Sequence, residues 1–73
     1  MKKAHTTKIL VKGADYFIAA LDNNGLRLGL NDGAGSIDLP PHHRDFKELQ
    51  DLANAAPEVF DTNADEMFDH LFF

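Results

Sequence analysis

His42 and His43, followed directly by Arg44 and Asp45, form the cluster in this chain whose residue types could do catalysis or hold a metal. Imidazoles ligate transition metals and move protons near neutrality, and a neighbouring carboxylate can orient them. The spacing argues against both uses. Side chains of consecutive residues diverge, and the remaining histidines, His5 and His70, stand far off in the sequence. The chain has no cysteine, which excludes a thiol nucleophile, a thiolate zinc site and any disulfide. Its single serine, Ser36, falls in a predicted strand, and the threonines lie at positions 6, 7 and 62, so no serine–histidine–aspartate series is laid out for nucleophilic attack.

Two further stretches carry ligand-type residues. Asp22-Asn23-Asn24-Gly25 and Asn31-Asp32-Gly33 have the side chains of calcium loops, but neither has the D-x-[DN]-x-[DN]-G order or the distal glutamate that coordination needs. Gly25, Gly29, Gly33 and Gly35 are not followed by Gly-Lys-Ser/Thr or by a helix start, so they do not form a phosphate cradle. The sequence therefore predicts no metal, no cofactor and no enzymatic activity. Both stretches read as turns, because glycine adopts positive φ freely and asparagine and aspartate tolerate it.

The turns organise the first half of the chain into strands. Asn24-Gly25 as a two-residue loop pairs Leu21 with Leu28 and Ala19 with Leu30, and brings Asp22 opposite Arg27. Asp32-Gly33 as a second such loop pairs Leu30 with Gly35, Leu28 with Ile37 and Leu26 with Leu39, and Gly13-Ala14-Asp15 pairs Val11 with Phe17, Ile9 with Ala19 and Thr7 with Leu21. Residues 7–39 then form a four-stranded antiparallel meander. Its expected inner face carries Ile9, Val11, Phe17, Ala19, Leu21, Leu26, Leu28, Leu30, Ile37 and Leu39. The expected outer face carries Lys8, Leu10, Lys12, Tyr16, Ile18, Ala20, Arg27, Gly29, Ser36 and Asp38.

A sheet with one apolar face needs a cover. Pro40-Pro41 ends the last strand, and Asp45 with Glu48 has the capping-box spacing that opens a helix. Phe46, Leu49, Leu52, Ala53 and Ala56 recur at helical spacing up to Pro57, which predicts a covering helix over 45–56. Glu58-Val59-Phe60 reads as a connector, and Asn63 with Glu66 repeats the capping pattern before a short acidic amphipathic helix over 64–72. The expected architecture is α+β, ββββαα, in one small domain spanning 1–73 behind a flexible basic arm at 1–6.

At 73 residues the chain has little apolar surface to bury, so its margin of stability is small. Net charge is -5, unevenly placed. Through Arg44, six Lys/Arg face four Asp, or +2; from Asp45 onward Lys47 stands alone against eight acids, or -7. That balance disfavours general affinity for nucleic acid and leaves a basic protein surface as the natural partner of the acidic half. No stretch has the length and apolar character of a membrane span or signal peptide, which gives a cytoplasmic expectation.

Two surfaces are candidates for function. The first is the end of the chain, where Asp65, Glu66 and Asp69 alternate with Phe68, Phe72 and Phe73; it either completes the core or presents aromatic anchors and steering carboxylates to a partner. The second is the outer sheet face, where Tyr16, Leu10, Ile18, Ala20 and Gly29 form an apolar strip that either makes a homodimer or partner contact or is shielded by lysine stems. By size and charge the chain resembles the very small acidic proteins that bind another macromolecule, phage-encoded inhibitors of host machinery among them. The leading expectation is a non-enzymatic protein-binding module, an inhibitor or regulator that engages the basic surface of a larger transcription or other nucleic-acid-processing enzyme. The alternative is a nucleic-acid-binding regulator using Lys2, Lys3, Lys8, Lys12 and Arg27.

Overall fold

A computed structural model describes residues 4–54 and 57–72. Four strands, β1 (Thr6–Lys12), β2 (Tyr16–Leu21), β3 (Leu26–Leu30) and β4 (Ser36–Leu39), are followed by α1 (Phe46–Ala53) and α2 (Pro57–Phe72). The strands form one antiparallel sheet in the order β1-β2-β3-β4, and the helices cover one of its faces, so the fold is the α+β meander expected.

The two asparagine- and aspartate-glycine turns behave differently. At the β3–β4 turn the expected register holds: Leu26 pairs with Leu39 and Leu28 with Ile37. The loop there is longer than two residues, since Leu30 N–H donates to Gly35 O and only Gly33, at φ 80°, takes the left-handed conformation. At the β2–β3 turn the register differs by three residues: Ile18, not Leu21, pairs with Leu28, and Tyr16, not Ala19, pairs with Leu30. Leu21 N–H donates to Gly25 O and Asn24 N–H to Leu21 O, which makes a three-residue loop in which Asn24 (φ 68°) is the left-handed residue. Gly25 is required for another reason. A Cβ there would lie 2.5 Å from the carbonyl oxygen of Leu39.

An odd shift turns every side chain of a strand to the other face. The inner face therefore carries Tyr16, Ile18 and Ala20, which the turn spacing assigns to the outside, and the outer face carries Phe17, Ala19 and Leu21. Both sets are apolar, so alternation alone could not choose between them. In β1 the pairing Ile9 with Ala19 is as expected, but a bulge between Ile9 and Val11 puts Val11 opposite Ile18 and leaves Ile9 52% exposed. Of the expected outer strip of Leu10, Tyr16, Ile18, Ala20 and Gly29, only Leu10 is exposed; Tyr16, Ile18 and Gly29 are buried and Ala20 is half-buried, so the strip is not one apolar surface.

The outer face is closed by a polar strap. Arg27 on β3 makes a bidentate pair with Asp38 on β4 (Nε–Oδ1 2.6 Å, Nη2–Oδ2 2.9 Å) and reaches across β2 to Thr6 Oγ1 and Ala4 O. The bond to Asp38 raises the guanidinium pKa further, against the opposing effect of burial. Small Ala19, the β2 neighbour of Arg27, leaves room for this crossing.

The helices depart from expectation in their bounds and caps: α1 covers Phe46–Ala53 and not 45–56, and α2 starts at Pro57 and not at 64. Pro57 does not merely stop the first helix; it is the first residue of α2, where its missing N–H costs nothing and its fixed φ suits a helix. The expected connector Glu58-Val59-Phe60 is helical, and Asn63 lies inside α2 rather than capping a new helix. The apolar residues Phe60, Ala64, Met67, Phe68 and Leu71 form one continuous stripe that packs on the sheet, with Phe60 wholly buried beside Ile18, Leu28 and Leu49. Asp45 stands at the start of α1 without a side-chain capping bond, so the Asp45/Glu48 box is not formed. The N-terminal arm is engaged from His5, whose N–H donates to Asp22 Oδ1 and whose carbonyl accepts from Asp22 N–H; Lys2 and Lys3 lie outside the described residues.

Candidate functional site

Helix α2 carries five carboxylates after Pro57, and its position on the sheet decides what each does. Asp61 faces the β1–β2 turn, where its oxygens accept the N–H groups of Ala14 (2.8 Å), Asp15 (3.1 Å) and Tyr16 (3.4 Å). Those backbone donors, Ala14 and Asp15 foremost, hold the Asp61 carboxyl below its ordinary pKa, against partial burial. The turn comes this close because Gly13 has no side chain; a Cβ there would strike Asp61 and Phe60. One helical turn on, Asp65 accepts the Tyr16 hydroxyl at 2.7 Å, and the Tyr16 ring packs on Phe68 with centroids 5.7 Å apart. Tyr16 titrates at about 12, raised first by the hydrogen bond to Asp65, then by burial and by the charges of Asp65, Asp69 and Asp15.

The expected anchor at the chain end is therefore divided. Phe68 belongs to the core, with Met67 and Leu71, and Asp65 holds Tyr16. Glu66 and Asp69 are exposed and, among the described residues, have neither an ion pair nor a side-chain hydrogen bond. The side chain of Phe72 and the whole of Phe73 lie outside the described residues.

His70 stands far from His43 in the sequence, yet the fold brings it to the start of α1. Its Nε2 is 3.8 Å from Asp45 Oδ2, which also has His43 Nδ1 at 3.9 Å and Arg44 Nε at 3.7 Å. His43 Nδ1 accepts the Asp45 N–H at 3.0 Å, which orients the ring toward the helix start. The cluster ties the last turn of α2 to the first turn of α1. It contains no hydroxyl or thiol, Ser36 lies on β4 opposite Gly29 on the outer face, and among the described residues no three His, Asp or Glu side chains are placed to hold a metal ion. No sequence signal joins His70 to Asp45, since the contact exists only through the packing of α2 on α1.

Between α1 and α2 runs an open groove of about 550 Å³. Its floor is Leu52 and Met67, its walls carry Glu48 and Asp51 from α1 and Glu66 from α2, and His70 stands at one end. A second depression of about 540 Å³ adjoins the β1–β2 turn and includes Asp15, Asp32, Asp61 and Asp65. The two carboxylates of α2 there are already bonded to the turn and to Tyr16. The basic residues are less concentrated than expected. Arg27 is occupied by Asp38, and the pairing of Lys8 with Ala20 and of Lys12 with Phe17 puts these lysines on opposite sides of the sheet.

No protein-family model matches the chain, and neither the curated proteins nor the solved structures yield a match. Among the described residues, no helix is long and apolar enough to cross a membrane.

Proposed function

We propose that the protein is a non-enzymatic interaction module whose acidic helix layer binds a basic surface on a larger protein, in the manner of a small phage-type inhibitor or regulator of a cytoplasmic transcription or other nucleic-acid-processing enzyme. One observation carries this reading. Glu48, Asp51, Glu58, Glu66 and Asp69 are all exposed on α1 and α2, and among the described residues none has an ion pair or side-chain hydrogen bond, while Asp38, Asp45, Asp61 and Asp65 serve the fold. Uncompensated like charge on one layer raises the energy of the free protein and steers a cationic partner toward it. The occupied guanidinium of Arg27 and the divided lysines of β1 give less support to direct nucleic-acid binding.

The test is affinity capture from nuclease-treated lysate with the natural chain and with a variant in which Glu48, Glu58 and Glu66 become glutamine and Asp51 and Asp69 asparagine, folding being checked by circular dichroism. A protein retained at low salt by the first and lost by the second is expected. Equal retention by both would exclude the acidic layer, and retention of nucleic acid alone from untreated lysate would favour the basic residues.

A further inference from the structure

The groove between α1 and α2 is built from helical repeats on both sides. Asn63, Glu66, Met67 and His70 follow i, i+3, i+4, i+7 along α2, and Glu48, Asp51 and Leu52 follow i, i+3, i+4 along α1. The contact length, from Asn63 to His70, is about two helical turns, or roughly 10 Å. Its floor is apolar and includes an unbranched methionine, which adapts to different shapes more easily than a branched side chain. Carboxylates stand on both walls, and none of the three has an ion pair or side-chain hydrogen bond among the described residues. Among the described residues, the groove is lined by α1 and α2 and by no strand. An extended peptide lying there would leave its backbone amides without partners, whereas a helix satisfies its own.

We infer that this groove is the docking site for a short amphipathic helix of the partner, with a leucine-type apolar stripe resting on Leu52 and Met67 and flanking arginines or lysines reaching Glu48 and Asp51 on one side and Glu66 on the other. The inference rests on the basic-partner reading above and narrows it from a charged layer to one groove and one kind of ligand. Arginine suits the walls, since its guanidinium engages a carboxylate through two parallel bonds while its stem lies on apolar surface. At one end of the groove His70 of α2 approaches Asp45 at the start of α1, with Nε2 3.8 Å from Oδ2.

The experiment is fluorescence anisotropy with the full chain and a labelled helical peptide that carries leucines on one face and arginines and lysines beside them. A groove variant, E48Q/D51N/E66Q, is compared with a variant that removes the same charge from the sheet loops, D15N/D22N/D32N, where asparagine keeps an acceptor oxygen for each turn. The groove variant is expected to weaken binding about tenfold or more and the loop variant less than about twofold. A third variant, N63K, which places a cation on the exposed wall of the groove, is expected to weaken binding as strongly as the groove variant while circular dichroism remains unchanged. Equal weakening by the groove and loop variants would overturn the groove assignment and leave the basic-partner reading standing, because charge alone would then explain binding. No binding of the peptide by a natural chain that still captures a basic protein would overturn the helical ligand. Groove-dependent self-association in sedimentation would make a second copy of this chain the occupant instead.

Discussion

Asp61 and Asp65 stand on the same helix as Glu66 and Asp69, yet the two pairs have different fates. Asp61 and Asp65 point toward the sheet, where they bind the turn amides of residues 14–16 and the Tyr16 hydroxyl. Glu66, beside the groove to α1, and exposed Asp69 have, among the described residues, neither an ion pair nor a side-chain hydrogen bond, although Tyr16 feels the charge of Asp69. All four are carboxylates, so the charge count of a helix says little about how much charge it offers to a partner. The angle at which the helix lies on the sheet decides that.

The comparison can be broken most forcefully at the apolar stripe that sets that angle. Phe60→Ala removes the largest wholly buried side chain and is expected to cost about 3–5 kcal/mol, enough in a domain this small to unfold much of the population, as read by urea denaturation. Gly25→Ala sets a methyl against the Leu39 carbonyl and should cost about 1–3 kcal/mol by the same measurement, through movement of the β2–β3 loop against β4.

Smaller effects sharpen the contrast between the two pairs of acids. Tyr16→Phe removes the bond to Asp65 and is expected to cost about 1 kcal/mol. Tyr16 is the only tyrosine in the chain, so tyrosinate absorbance reports on it alone. Its folded pKa of about 12 lies above the ordinary 10.0, so the stabilisation is complete below the ordinary value and is lost as pH rises from there through the folded one. Alkaline unfolding should follow that window and flatten in the phenylalanine variant. Asp61 has the opposite sign. Its folded pKa is lowered, so its contribution is present above the ordinary carboxylate range and disappears as pH falls through the folded value; Asp61→Asn should remove that part of the acid limb of a stability profile. Glu66→Gln should change stability by less than about 0.5 kcal/mol while weakening partner binding, and a larger loss of stability would show that Glu66 is structural after all.

The legible and illegible parts of the sequence separate along physical lines. The β3–β4 register could be read because Leu26, Leu28 and Leu30 alternate with Arg27 and Gly29, giving one greasy face and one that is not. The β2 register could not, because Tyr16-Phe17-Ile18-Ala19-Ala20-Leu21 is apolar on both faces and a three-residue slip leaves no polar residue misplaced. Helix α2 was readable in principle, since Phe60, Ala64, Met67, Phe68 and Leu71 keep a single stripe through Asn63. Pro57 and the Asn63/Glu66 spacing masked it, as a proline that ends one helix equally well begins the next. For the candidate site, the excess of acid in the last third was plain from composition, but not which acids were free.

By itself the sequence determined the α+β class, the number of strands, the apolar cover after Pro41 and the bipolar charge, because each of these follows from local periodicity, turn chemistry or counting. The tertiary structure decided which face of β2 is inside, that Arg27 spends its charge on Asp38, that His70 meets Asp45, and that Glu48, Asp51 and Glu66 line one groove. These contacts join residues from different elements, and their partners are chosen by how two helices pack on a twisted sheet, which no local pattern in the chain encodes.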